Sequence, residues 1–370
     1  MKIVFVSDAI YPYNKGGKEK RLFDLSTRLA SKGHDVHIYT MKWWTSKGDL
    51  TENGVHMHAL CPLYPLYSGE RRSIAQGILF GLSCLKLITQ KWDVIDVDHM
   101  PYFPLYFTKL VCLLKGKRMI ATWHEVWGKE YWMKYLGGWK GHVAWWVEKF
   151  SIDMPDRIIA VSDSTANRLR NDLHYTRKMD VVYNGVDETF IRAITPDQIK
   201  SDIMFAGRLL THKHVDKLIE AVALLQKTNA NLVCIIIGNG PEKESLIKLT
   251  ESLHLQHTVM FYDFFGDERK LYALMKSSRV FVLPSDREGF GLVVLEANAC
   301  DLPVVTSDAP DNHAQNLITD DNGVTVNVSD IPVFAKAIST IISRPKAHIQ
   351  IDPVYNIDTI ISQMEGIYNS

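Results

Sequence analysis

Short apolar, β-branched runs alternate with stretches of helical spacing along nearly the whole chain. Ile3-Val4-Phe5-Val6 reads as a buried strand. Helical spacing follows at Leu22, Leu25 and Leu29, with Gly33 as the stop. Val36–Tyr39 is the next strand, and others are predicted at Val94–Val97, Met119–Ala121, Ile158–Val161 and Val181–Tyr183. The pattern restarts after Pro196. Ile203–Ala206 is a strand, 214–228 has helical spacing, and Leu232–Ile237 is an unbroken apolar run of the kind buried on both faces. Pro241 is placed in the first turn of a helix, where a missing N–H costs nothing. Arg279–Leu283, Val304–Val305 and Val324–Val326 are further strands, and Ile357–Tyr368 reads as a helix. Such alternation implies parallel sheets with right-handed crossovers. The break near 185–200 divides it into two runs. The expected architecture is therefore α/β, with two doubly wound Rossmann-like domains facing across a cleft and ligands at the strands' carboxyl ends. The expected boundaries are 1–190 and 191–354, with the helix at 355–370 packing back onto the first domain.

Composition narrows this picture. Charged residues make up 23% and hydrophobic residues 46%, the globular range, which excludes a disordered chain. The five cysteines are odd in number, far apart and without a CxxC pair. They argue against a disulfide framework or structural zinc and fit a reducing cytoplasm. No signal peptide is read at the N-terminus, where the apolar run ends at Asp8, and no transmembrane helix is expected. The 42 Lys+Arg balance 42 Asp+Glu, so the total gives no reason to expect a nucleic-acid partner. The balance hides a split. Residues 1–180 hold 26 basic and 18 acidic side chains, and the remainder holds 16 and 24. The basic half points to an anionic or membrane-borne partner on the first domain.

Three loops carry candidate chemistry. Asp8 to Gly17 leads from the first strand into a helix, and the paired Gly16 and Gly17 let backbone N–H groups approach an anion. Gly207-Arg208-Leu209-Leu210-Thr211-His212-Lys213 follows a strand. Its Arg offers a planar fork to phosphate oxygens, and its Lys a point charge. Glu288-Gly289-Phe290-Gly291-Leu292 opens a helix that carries Glu296 about a turn and a half in, where it faces the same ligand. Each also has a plainer reading, as an ordinary βα turn, a solvated basic turn or a capped helix.

Their order resembles the family-4 type of retaining glycosyltransferase, with the two-domain GT-B fold. The resemblance covers nearly the whole chain. It is carried by Gly16-Gly17, Ile159-Ala160-Val161-Ser162, Asn184-Gly185-Val186-Asp187, Gly207-Arg208-Leu209 with Lys213, and Ile237-Gly238-Asn239-Gly240-Pro241. Pro284-Ser285, the Glu-x7-Glu pair (Glu288, Glu296) and Pro303-Val304-Val305 complete it. The resemblance implies that Arg208 and Lys213 bind the diphosphate of a nucleotide-sugar donor. Glu288 and the backbone of Phe290, Gly291 and Leu292 would hold sugar and phosphates. Glu296 would take the ribose hydroxyls, Gly238 would line the nucleotide site, and Gly16 and Gly17 would close over the phosphate. His124 matches the family's histidine at the sugar end. The implied activity is transfer to an acceptor hydroxyl of a glycan or lipid-linked acceptor with retained configuration, in glycan or glycolipid assembly. No cofactor and no metal are expected.

Four positions depart from the family pattern. His214, Asp263 and Asp301 stand where glycine is usual, and Ser307–Asn312 replaces a Gly-Gly, which leaves the sugar open. Asp96-Val97-Asp98 has the form of a DxD metal motif from a different glycosyltransferase fold. With Arg208 and Lys213 already at the diphosphate, the pair and His99 are placed on the acceptor side instead. All nine Trp lie between 43 and 146. Trp132, Tyr135, Trp139, Val143 and Trp146 recur at helical spacing among lysines, which suits a membrane interface, although Gly137-Gly138 and Gly141 would weaken a long helix. The expected location is cytoplasmic, peripheral on the inner face of the membrane. Alternatives are a nucleotide-sugar epimerase or hydrolase on the same fold, or a non-catalytic sugar-nucleotide-binding protein. A dinucleotide oxidoreductase is disfavoured, because Gly238-Asn239-Gly240 lacks the third glycine of GxGxxG.

Overall fold

The computed structural model describes residues 1–68 and 71–370. These form two compact units, Met1–Asn184 with Thr359–Ser370, and Gly185–Asp358. The first unit is built on strands β1 (Lys2–Val6), β2 (Asp35–Met41), β3 (Leu50–Glu52) and β4 (Val55–Cys61). A small antiparallel pair, β5 (Tyr67–Ser68) and β6 (Arg71–Arg72), precedes β7 (Val94–Asp98), β8 (Ile120–Trp123), β9 (Arg157–Ala160) and β10 (Met179–Val181). The main sheet runs β10-β9-β8-β7-β1-β2-β4-β3, and only β3 is antiparallel to its neighbour. The last predicted strand of this half, Val181–Tyr183, is thus shifted two residues earlier. Its helices are α1 (Gly17–Ser31), α2 (Ile74–Ser83), α3 (Phe103–Lys115), α4 (Gly128–Leu136), α5 (Gly138–Ser151) and α6 (Asp163–Asn171). Leu22, Leu25 and Leu29 bury one stripe of α1 against the sheet.

The edge hairpin β3–β4 has no apolar run to announce it, because histidines occupy one of its faces. His37 on β2 and His58 on β4 share a nitrogen–nitrogen hydrogen bond of 2.8 Å. Asp35 and Asp49 accept from the outer nitrogens at 2.8 and 2.6 Å. The aromatic helix expected across 132–146 is two helices. Gly137 and Gly138, both at positive φ, break it. Trp132 turns into the core, while Trp139, Val143 and Trp146 face outward from α5.

The second unit contains α7 (Glu188–Ala193), β11 (Ser201–Ala206), α8 (Val215–Gln226), β12 (Cys234–Ile237), α9 (Lys243–Ser252) and β13 (Val259–Tyr262). It continues with α10 (Glu268–Ser277), β14 (Ser278–Leu283), β15 (Arg287–Glu288), α11 (Leu292–Ala299), β16 (Val304–Ser307), β17 (Asp311–Asn312), β18 (Gly323–Val326) and α12 (Ile331–Ser343). Its sheet is fully parallel in the order β13-β12-β11-β14-β16-β18. The central residues Ile203, Ile235 and Val280 are completely buried, as helices on both faces demand. The unit starts at Gly185 rather than 191, because α7 is tied into it. Arg192 pairs with Asp301 at 2.9 Å. Pro241 sits in the turn before α9 rather than inside its first turn. A last helix, α13 (Ile357–Tyr368), begins in the second unit and ends in the first.

Two of the unusual non-glycine positions keep a glycine-like backbone. His214 and Asp301 have φ of 49° and 54°, so the left-handed turn is kept although the glycine is not. Their side chains are engaged instead. His214 meets Asp286 at 3.2 Å, and Asp301 accepts from Arg192 and from the Ile349 amide. Left-handed conformation costs a side-chain-bearing residue about 1–2 kcal/mol, which these contacts offset.

Candidate active site

In the second unit, three loops meet at the carboxyl ends of the neighbouring strands β12, β11 and β14. The loop after β11 is clipped to the one after β12, with the Leu209 amide donating to the Asn239 carbonyl at 3.0 Å. It is clipped to the loop after β14 as well, where the Asp286 amide donates to the His212 carbonyl at 3.0 Å. Lys213 then reaches Glu288 at 2.5 Å, with both side chains mostly buried. Arg208 is half-buried on the same loop. Burial and the neighbouring Lys213 push the His212 imidazole down to about 4, so it is neutral at pH 7.

Two glycines are required by space. A Cβ on Gly238 would lie 2.0 Å from the Gly207 carbonyl oxygen, so the two loops touch only because position 238 is bare. Close packing alone thus accounts for Gly238. Gly291, at φ +89°, caps α11, and a Cβ there would meet the Ala314 Cβ at 2.4 Å. It turns Phe290 inward and starts α11 at Leu292, with no acidic side chain in the first turn. That leaves the positive end of the helix dipole without an internal counter-charge. Glu296, on α11, accepts from the Tyr272 hydroxyl at 2.8 Å.

Gly16, Gly17 and His124 belong to the first unit. Gly16 caps α1, and a Cβ on Gly17 would meet nothing within 4 Å, so packing does not dictate that residue. Around the loop lies a charge cluster in which the sequence motifs had named Asp98 and His124 but not Lys18, Arg72 or Gln76. Asp8, fully buried, meets Lys18 at 3.0 Å, Arg72 at 3.2 Å and Gln76 at 3.2 Å. Lys18 also faces Asp98 at 3.4 Å, and Asp98 takes the His124 Nε2 at 3.0 Å. Burial alone would raise the Asp98 carboxyl, but Lys18 and His124 outweigh it and hold it well below the usual range. Asp96 bonds instead to Thr122 and to the Tyr368 hydroxyl of α13, at 2.9 and 2.7 Å. Both carboxylates of the DxD-like pair are thus engaged by protein groups.

His99 is fully buried beside this cluster, with its ring 5.0 Å from that of Trp123. Its Nδ1 accepts from the His124 amide. Burial pushes its imidazole down to about 3. The unfolded chain, with an ordinary pKa of about 6.5, binds that proton more readily. Stability contributed by neutral His99 is therefore whole above about pH 6.5 and falls as pH drops toward 3. Urea unfolding between pH 7 and 4 should show a steeper acid loss for the native chain than for His99→Asn, a comparison that cancels the carboxylates nearby. Equal slopes would show that His99 protonates in place.

Family models span most of this chain. The model Glycosyltransferase Family 4 matches residues 15–190, and Glycosyl transferases group 1 matches residues 186–352. The chain is a glycosyltransferase of the family-4 type. An uncharacterized glycosyltransferase of Methanocaldococcus jannaschii is 29% identical over 330 residues, 83% of this chain and 80% of its own length. Sucrose-phosphate synthase from Thermosynechococcus elongatus superposes with a TM-score of 0.80 at 18% identity, over 100% of this chain and 98% of that one. The Anabaena protein HepE, solved with UDP and glucose, gives 0.75 at 18% identity, over 100% and 99%. These likenesses establish the GT-B fold with its two Rossmann-like domains. Within this glycosyltransferase, the structure brings Arg208, Lys213, Glu288 and Gly238 to one end of the second sheet. It places Glu296 on the adjoining α11, and Gly16, Gly17 and His124 on the first unit.

Proposed function

We propose that this glycosyltransferase moves a sugar from a nucleoside-diphosphate sugar to an acceptor hydroxyl, with retained anomeric configuration and no metal. The observation that carries the reading is the meeting of Arg208, Lys213, Glu288 and the α11 N-terminus at one sheet end. Two cations and a helix dipole match a diphosphate, and a carboxylate beside them suits sugar hydroxyls. The UDP and glucose of HepE support the same ligand class.

As the bond from the anomeric carbon to the phosphate oxygen breaks, its electron pair leaves with the diphosphate. Arg208 and Lys213 offset that growing charge, so no divalent ion is invoked. The acceptor oxygen attacks from the same face, and its proton passes to the departing phosphate. Glu288 and the backbone of Phe290, Gly291 and Leu292 fix the sugar, and Glu296 takes the ribose hydroxyls. Gly238 lines the nucleotide site. Gly16, Gly17 and His124 serve the phosphate and sugar ends from the first unit, which is also assigned the acceptor, glycan or lipid-linked.

Thermal-shift screening against UDP, GDP, ADP and their common sugar conjugates tests the donor class. One nucleotide and its conjugate should raise the melting temperature in chelator as well as without it. No shift with any of them, or a shift only with a divalent ion, would overturn the reading. NMR of the product anomer then tests retention.

A further inference from the structure

α2 is apolar on both sides. Phe80 and the bare Gly77 and Gly81 face inward, packed on Pro101 and Phe103, while Ile78, Leu79 and Leu82 face out. A helix apolar all round belongs in a core or against lipid, and this one lies on the outside of the first unit. The 3₁₀ turn that continues it, Cys84–Thr89, adds exposed Leu85 and Ile88. Beside it, α3 exposes Leu110, Leu113 and Leu114, the last two at 66% and 71%.

The surfaces join. Lys115 of α3 donates to the Ile88 carbonyl at 2.8 Å, and Tyr106 of α3 donates to the Val147 carbonyl of α5 at 2.6 Å. Tyr106, Leu110 and Leu113 fall at i, i+4 and i+7, so they form one ridge leaning toward α5. There Trp139, 72% exposed, and Trp146 extend the patch with rings suited to an interface. So large a contiguous apolar surface marks a binding face. No helix among the described residues is long and apolar enough to cross a membrane.

Charge selects the occupant. Residues 71–92, 99–124 and 131–147, which hold α2, α3 and all but the last turn of α5, carry ten Lys and Arg and not one Asp or Glu. The one acid of α5, Glu148, is completely buried. Lys86, Lys91, Lys117, Lys134 and Lys140 are exposed. A second copy would set this basic surface against its own like charge, whereas an anionic leaflet matches both its charge and its apolar centre.

We propose that the outer face of α2, α3 and α5 docks on a bilayer leaflet rich in anionic lipid. The Trp-and-lysine pattern over 132–146 falls on α4 and α5, of which only α5 belongs to this face, and the sequence pattern did not include the exposed aliphatic residues of α2 and α3. The position is productive. Ser73 caps α2 directly after Arg72, which reaches Asp8 at the root of the Gly16-Gly17 loop. The leaflet therefore lies beside the acceptor-side residues and presents a membrane-anchored acceptor to them. Docking stands independently of the donor chemistry; only its purpose rests on the acceptor reading.

Co-sedimentation of the full chain with vesicles tests it, using phosphatidylcholine alone and phosphatidylcholine mixed with about one-third phosphatidylglycerol. Binding should be at least about tenfold stronger on the anionic vesicles and should weaken as salt rises. The double variant Leu82→Glu/Leu114→Glu should lower binding at least about tenfold while leaving the melting temperature and the nucleotide-induced shift unchanged. No binding to anionic vesicles at low salt overturns the proposal, as does equal binding by the variant. So does a dimer in solution that the variant dissociates, since a second copy then covers the face. A failed nucleotide screen alongside successful docking would remove the nucleotide-sugar donor reading and leave this one standing.

Discussion

Arg208→Ala and Lys213→Ala each lower the rate of sugar transfer at least about a hundredfold, while the folded baseline and melting temperature of Arg208→Ala stay close to native. Removing one preorganised charge from a site where charge develops costs about 2.7–4 kcal/mol in the transition state, or two to three orders of magnitude in rate. The loop that carries both residues is held by backbone hydrogen bonds to Asn239 and Asp286, which both variants keep. The two variants differ in one respect. Lys213 is the 2.5 Å partner of Glu288, whose side chain is only 14% exposed. Lys213→Ala therefore strands a mostly buried carboxylate and loosens the sugar end too. Arg208→Lys keeps the charge and loses the planar fork, so it should recover only part of the rate. Release of nucleoside diphosphate from the donor, followed at saturating donor, reads all three. Near-native turnover in Arg208→Ala would remove the diphosphate assignment.

Glu148→Ala costs the first unit about 3–5 kcal/mol, because it strands several buried donors at about 1–3 kcal/mol each. The carboxylate is completely buried and accepts four hydrogen bonds. Tyr102 and the Trp127 amide donate to one oxygen at 2.9 and 2.8 Å, and the Gly128 amide and the Trp132 indole to the other at 2.9 and 2.7 Å. It thereby ties the residue before α3, the start of α4 and the body of α5 to one point. Alanine leaves four buried donors unsatisfied at once. Glu148→Gln keeps the volume but turns an NH₂ toward N–H groups, and should recover half of the loss at most. Because every Trp lies between 43 and 146, tryptophan fluorescence during urea unfolding reports on the first unit alone. An unchanged midpoint in Glu148→Ala would mean the donors find other partners.

The division into two parallel sheets was readable because their central strands are apolar on both faces, and such runs stand out from any background. The hairpin β3–β4 was not, since β3 is only three residues long and β4 carries its apolar Val55 and Met57 between His56 and His58 rather than in an unbroken run. The break between α4 and α5 was half visible. Gly137-Gly138 signalled weakness, but spacing alone could not say that Trp132 turns inward and Trp139 outward. At the site, Arg208, Lys213 and Glu288 were legible as loop residues at strand ends, and the structure adds that Lys213 and Glu288 touch. Asp8, Lys18 and Arg72 were not legible as a group. They are 10 to 64 residues apart, and only the fold collects them. A buried acidic residue with a basic partner far along the chain leaves no local pattern, although Asp8 immediately after an apolar strand was a usable hint. Glu148 was equally hidden, as one acid in an aromatic helix.

The chain leaves the first unit at Asn184 and returns to it at Thr359. During synthesis the first sheet is therefore finished long before its last helix exists. At about 5–20 residues per second, the ribosome needs on the order of ten to thirty seconds to make the intervening stretch. Throughout that interval Asp96 lacks the Tyr368 hydroxyl, and Arg21 lacks the sulfur of Met364 that it meets at 3.9 Å in the finished protein. The half that carries the charge cluster and the apolar outer face thus waits, unsealed, on the half that carries the phosphate loop. Its completion reports that the second unit has been made.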